Sequence, residues 1–80
     1  MGESVLPVID KKATGNNIKR LLRLKKMSVI QLQEILKMPS GILIYKWCRG
    51  EHIPSIEYLL QLSRIFECNI EDILMIQEDK

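Results

Sequence analysis

The chain has 80 residues, room for one small domain and no second, and a domain of that size buries only about 60% of its unfolded surface, too little to enclose a deep substrate-sized cavity. Hydrophobic residues at 46% and charged residues at 28% are globular averages, too apolar for a disordered tail and too charged for a membrane span. The net charge of +2 conceals an asymmetry: residues 1–10 carry −2, residues 11–50 hold ten Lys and Arg against Glu34 alone for +9, and residues 51–80 carry −5. That division points to a basic face that meets a polyanion and an acidic remainder that keeps the fold soluble, against the plainer reading of a solvated helix face.

The opening MGESVLPVID is acidic and lacks the basic stretch of a secretory signal, Leu6 breaks the myristoylation pattern, and no apolar run approaches the roughly 20 residues that span a bilayer. A cytoplasmic protein without a membrane anchor is expected. Cys48 and Cys68 form no C-x-x-C pair and read as reduced thiols.

Periodicity predicts short helices and almost no strand. From about Gly15 to Lys26, Ile18, Leu21, Leu22 and the stem of Lys25 recur at i, i+3, i+4, i+7 opposite Lys19, Arg20, Arg23 and Lys26. Ser28 and Gln31 make a capping-box pattern for a second helix whose buried stripe is Leu32, Ile35 and Leu36, and Lys37, Met38 and Pro39 end it. Ser40 is the expected cap of a third helix over 41–48, with Ile44 and Trp47 turned to the core and Gly50 placed for a left-handed terminus. After the loop Glu51–Pro54, Ser55 caps a fourth helix through Leu59, Leu62, Ser63 and Phe66, and Asn69 a fifth through Ile70, Ile73 and Leu74. The predicted fold is all-α: an N-terminal arm over 1–14, a compact five-helix domain over 15–76 and a tail over 77–80.

Catalytic chemistry cannot be assembled from this inventory. Cys48, His52 and Cys68 offer at most three soft metal ligands, with Gly50 interrupting the helix between the first two, so no metal site is expected. No nucleophile has an adjacent base, no carboxylate pair sits in a shielded setting, and Gly15, Gly41 and Gly50 are isolated rather than grouped in a phosphate loop. The chain does not read as an enzyme, and neither a cofactor nor a small-molecule substrate is expected.

Two helices joined by a short turn, the second following a basic stretch, describe a helix-turn-helix. The segments GNNIKRLLRLKKMSVIQLQEIL, IYKWCRG, EHIPS and LLQLSRIFECNIEDIL, spanning 15–74, resemble the Cro/repressor-type helix-turn-helix of the xenobiotic-response-element (XRE) family, in its Firmicutes-type variant with PVID-K-ATG-NIK ahead of the first helix. The resemblance implies a lambda-repressor-like domain that binds double-stranded DNA as a repressor-like transcriptional regulator, its third helix in the major groove. Several positions depart from the family pattern: Gln33 replaces a small alanine, Val29 a glutamine and Cys48 a glutamate, and Lys37 replaces the turn glycine, which argues against a tight left-handed turn there. Between Leu32 and Gly50 the chain is one residue longer than the common repressor pattern, as in the variant it resembles, so an enlarged turn around Met38 to Ser40 is expected.

Carried onto this chain, the resemblance makes Gly41, Ile42, Tyr45, Lys46 and Arg49 the base-reading positions. Lys46 and Arg49 carry most of the hydrogen bonding, because Gly41 and Ile42 offer only close backbone approach and a thymine-methyl contact. Tyr45 either donates to a phosphate or forms an aromatic lid on the helix pair. Lys11, Lys12, Asn16 and Asn17 near the first helix start, with Ser40, are the expected phosphate contacts. One short helix reads few base pairs, so a homodimer is expected, through Val5, Leu6, Val8 and Ile9 or through Met75 and Ile76, unless the N-terminal stretch only caps its own core. The alternative function is a helix-turn-helix protein-interaction module or antitoxin-like partner with weak or lost DNA binding, motivated by the apolar Ile42, Leu43 and Met75.

Overall fold

The structure, a computed structural model, describes residues 6–77, so Val5 and the last three residues of the expected tail lie outside the described residues. Among the described residues five helices follow in chain order: α1 (Lys11–Leu24), α2 (Val29–Ile35), α3 (Ile42–Arg49), α4 (Ile56–Phe66) and α5 (Ile70–Ile73). Among the described residues there is no strand, only an isolated antiparallel bridge between Ile9 and Ile76. Among the described residues no helix is long and apolar enough to cross a membrane.

The first helix begins four residues before the expected Gly15, taking in the end of the predicted arm. Asp10 stands in extended backbone and its carboxylate accepts the Ala13 amide at 2.9 Å, an N-cap that starts the helix at Lys11. Ser28 and Gln31 form both halves of their capping box, and Ser55 caps α4 through the Tyr58 amide. Ser40, expected as the cap of α3, lies one position too early. Gly41 is the N-cap, and the Ser40 hydroxyl accepts the Ile42 amide at 3.3 Å.

Four helices end in the same way. After α1, α2, α3 and α4 a left-handed residue, respectively Lys26, Lys37, Gly50 and Glu67, folds the chain back so that the next amide bonds to a carbonyl one turn earlier, as in Met38 N–H to Gln33 and Glu51 N–H to Lys46. Lys37 adopts φ 57° although a lysine lacks the conformational freedom of glycine, correcting the expectation from its residue type. The cost is about 1 kcal/mol, offset by the two carbonyls satisfied and by the Gln33 side-chain amide, which reaches the Met38 carbonyl across the turn. Gln33 thus braces the connection between α2 and α3.

The core gathers Ile18, Leu21 and Leu22 of α1, Leu32 of α2, Ile44 and Trp47 of α3, Leu59, Leu62 and Phe66 of α4, and Ile73 of α5. Trp47 packs on Tyr58 with ring centroids 5.3 Å apart and planes tilted by 60°. Ile35, expected in the buried stripe of α2, is 51% exposed, since the helix ends there and only Leu32 is fully enclosed. Lys25 stands just past the end of α1 rather than inside it, its ammonium 2.7 Å from the Glu67 carboxylate.

The tightest crossing is between α1 and α3. A Cβ added at Gly15 would lie 2.4 Å from the Trp47 carbonyl oxygen and 2.6 Å from that of Cys48, so the two backbones touch with no side chain between them. Gly15→Ala is expected to destabilise the fold by about 1–3 kcal/mol or more, read as a lower urea midpoint, because rigid backbone must move to admit one methyl. An unchanged midpoint would show that the crossing relaxes freely.

Candidate nucleic-acid interface

Burial of Ile44, Trp47 and Cys48 turns the opposite side of α3 outward. Ile42 at 63% exposure, Tyr45 and Arg49 are exposed, and Lys46 is half-buried, so four expected base-reading residues share one accessible helix face. Gly41 lies at the head of that face, wedged against α2: a Cβ there would come within 3.3 Å of Gln33 Oε1 and of Val29 Cγ1. The exposed Ser40 precedes it, its oxygen engaged with the Ile42 amide and its hydroxyl proton free to donate.

The other end of α3 abuts the start of α1. Gly50, at φ 77°, lets the chain turn where a Cβ would sit 2.7 Å from Lys12 Cα and 3.2 Å from the Lys11 carbonyl carbon. The exposed Lys11 and Lys12 therefore continue the basic end of α3. Asp10 changes the expected electrostatics of this corner, since its carboxylate already occupies the positive end of the α1 dipole. Attraction for an anion comes here from the lysine ammonium groups.

Asn16 is exposed on α1, but Asn17 is not available as a phosphate contact. Only 7% exposed, it donates both amide hydrogens to α5, at 2.7 Å to the Asp72 carbonyl and 3.0 Å to that of Ile73, while its oxygen accepts from Arg20 Nε. The asparagine expected on the surface is a buried strut between α1 and α5. Lys19, not singled out from the sequence, lies near the last turn of α3, where its charge and that of Arg49 partly oppose the burial that pushes the Cys48 thiol up.

Glu51 is the second residue that sequence reading passed over. Arg49 Nε donates to Glu51 Oε2 at 2.6 Å, and this hydrogen bond holds the guanidinium above its ordinary range and the carboxyl below its own. Lys46 adds to the positive field around Glu51, and the Glu51 and His52 amides both donate to the Lys46 carbonyl. The signal was an acid two residues beyond Arg49 across a helix-ending glycine.

Removing the Asn17 amide leaves two α5 carbonyls without their donor. Asn17→Ala is expected to cost about 1–3 kcal/mol of stability, seen in thermal unfolding, whereas Asn16→Ala leaves the midpoint within about 0.5 kcal/mol. Equal effects of the two substitutions would contradict the strut.

A family profile for the Cro/C1-type HTH DNA-binding domain matches residues 17–79. Two solved structures share the fold at 13% sequence identity and a TM-score of 0.69, each aligned over 82% of this chain: the crystal structure of the DNA-binding domain of BldD, 94% covered, and the S. venezulae BldD DNA-binding domain, 97% covered. No curated protein sequence matches. The profile spans more than half of the chain, from the strut residue Asn17 through the whole turn and α3, and the chain belongs to the Cro/C1-type helix-turn-helix DNA-binding domains.

Proposed function

We propose that this protein is a sequence-specific transcriptional regulator of repressor type that acts in the cytoplasm as a homodimer and inserts α3 into the major groove of double-stranded DNA. The observation that carries this reading is the single outward face of α3, along which Ile42, Tyr45, Lys46 and Arg49 are accessible while the reverse side is locked in the core. An α-helix fits the major groove, and an Arg or Lys there can pair with guanine O6 and N7. Ile42 supplies an apolar contact to a thymine methyl, while Lys11, Lys12, Asn16 and Ser40 flank the helix as contacts to the phosphate backbone.

The dimer rests on the chain ends. Asp10 N–H donates to the Met75 carbonyl at 2.8 Å and Gln77 N–H to that of Val8 at 2.7 Å, so the two apolar segments expected at the interface form one surface that exposes Val8, Met75 and Ile76. Paired half-sites of helix-turn-helix dimers lie about 34 Å apart, which this surface must span by holding two copies of α3.

Selection of bound genomic fragments provides the operator for the test, and sedimentation with that operator is expected to give two protein copies per site. Lys46→Ala and Arg49→Ala are each expected to weaken operator binding by about 1–3 kcal/mol and random duplex far less. Equal loss on both DNAs would assign these side chains to phosphate. Lys11→Ala combined with Lys12→Ala is expected to flatten the log–log salt dependence by up to about 2 on any duplex, and an unchanged slope would remove that corner from the interface. The exposed Ile42 and Leu43 favour a second reading, a protein-binding module. That reading requires negligible DNA affinity at every salt concentration.

A further inference from the structure

Glu51 is an anion set among the cations of a surface whose ligand is a polyanion. Its position is fixed by backbone as well as side chain: Gly50 ends α3 in the left-handed conformation, and the Glu51 amide bonds back to the Lys46 carbonyl at 2.9 Å. The carboxylate is thereby held beside Arg49, where Oε2 accepts from Nε at 2.6 Å. A guanidinium presents donors along two edges, and a bond at Nε leaves the terminal edge, formed by both Nη groups, for a bidentate acceptor.

We infer that Glu51 is a positioning and selectivity residue for DNA recognition: it aims Arg49 at a guanine edge by holding Nε, and it penalises binding to phosphate alone. The inference rests on the function proposed above. An arginine with five free donors and a flexible stem pairs with whichever phosphate is nearest, a contact available on every sequence. Bound at Nε, it has fewer orientations to lose on meeting a guanine, and the adjacent negative charge repels a backbone that offers no base edge in return. Ion pairs between exposed side chains add little to folding stability, so the interaction is a weak candidate for a purely structural role.

The two actions separate by substitution. Glu51→Gln removes the charge and the charge-assisted hold on Arg49, while Glu51→Asp keeps the charge but falls one methylene short of Nε. With the operator obtained by fragment selection and a random duplex of equal length, Glu51→Gln is expected to bind random DNA more tightly, to steepen its log–log salt slope by about 0.9, and to lower the operator-to-random affinity ratio by about fivefold or more. Glu51→Asp is expected to keep the wild-type affinity and slope on random DNA and to lose the ratio through weaker operator binding. In an Arg49→Ala background both substitutions at Glu51 are expected to leave the ratio unchanged. A ratio that Glu51→Gln leaves at the wild-type value overturns the inference while the regulator reading stands. A wild-type protein that selects no fragment over random DNA overturns both.

Discussion

Everything about the exposed face of α3 depends on one contact, the backbone-to-backbone crossing at Gly15. At this crossing α1 rests directly on the carbonyls of the last turn of α3, and Gly50 repeats the arrangement one step further, against Lys12. Side chains at a helix crossing act as spacers that can repack, whereas bare backbone leaves no adjustable part. The rotation of α3 about its own axis is then fixed by α1 on one side and by the burial of Ile44 and Trp47 on the other. That rotation decides which residues face outward. A surface that recognises its ligand through a few long side chains requires such rigidity beneath it.

The second determinant is how the helices stop. Three of the four left-handed termini are occupied by Lys26, Lys37 and Glu67, residues that pay for that conformation where glycine would not. The turn geometry is imposed by the reciprocal amide–carbonyl bonds and by tertiary contacts such as the Lys25–Glu67 pair and the Gln33 brace. The connection between α2 and α3 therefore keeps a defined path.

Most of the fold was legible in the sequence because amphipathic spacing and capping residues are local signals. Leu59, Leu62, Ser63 and Phe66 are buried on α4, and Ser28 with Gln31 closes its capping box. What was not legible depended on contacts distant in sequence. Asn17 looks like a surface polar residue until α5, more than fifty positions away, supplies two carbonyls for its amide. The apolar spacing places the first helix start near Gly15, whereas the Asp10 cap starts it at Lys11 and Gly15 sits inside it to admit the backbone of α3. Glu51 looks like a loop acid, and only the fold-back after Gly50 places it against Arg49. The composition of the α3 face was readable, but its electrostatic context was not, because charges on α1, α3 and the following loop meet only in three dimensions.

The clasp between the chain ends connects to this geometry. Ile9 pairs with Ile76, Met75 bonds Asp10 through its carbonyl, and the Thr14 hydroxyl lies against both polar groups of Met75, accepting its amide at 2.9 Å. Residues 8–10 and 75–77 thus run side by side across the fold, joined by backbone hydrogen bonds rather than by side-chain packing alone. The clasp also grips the first turn of α1, the part of the molecule that bears on Gly50. A load applied to either of these two segments is thus delivered to Asp10 and Thr14, and through them to the helix that sets the orientation of α3.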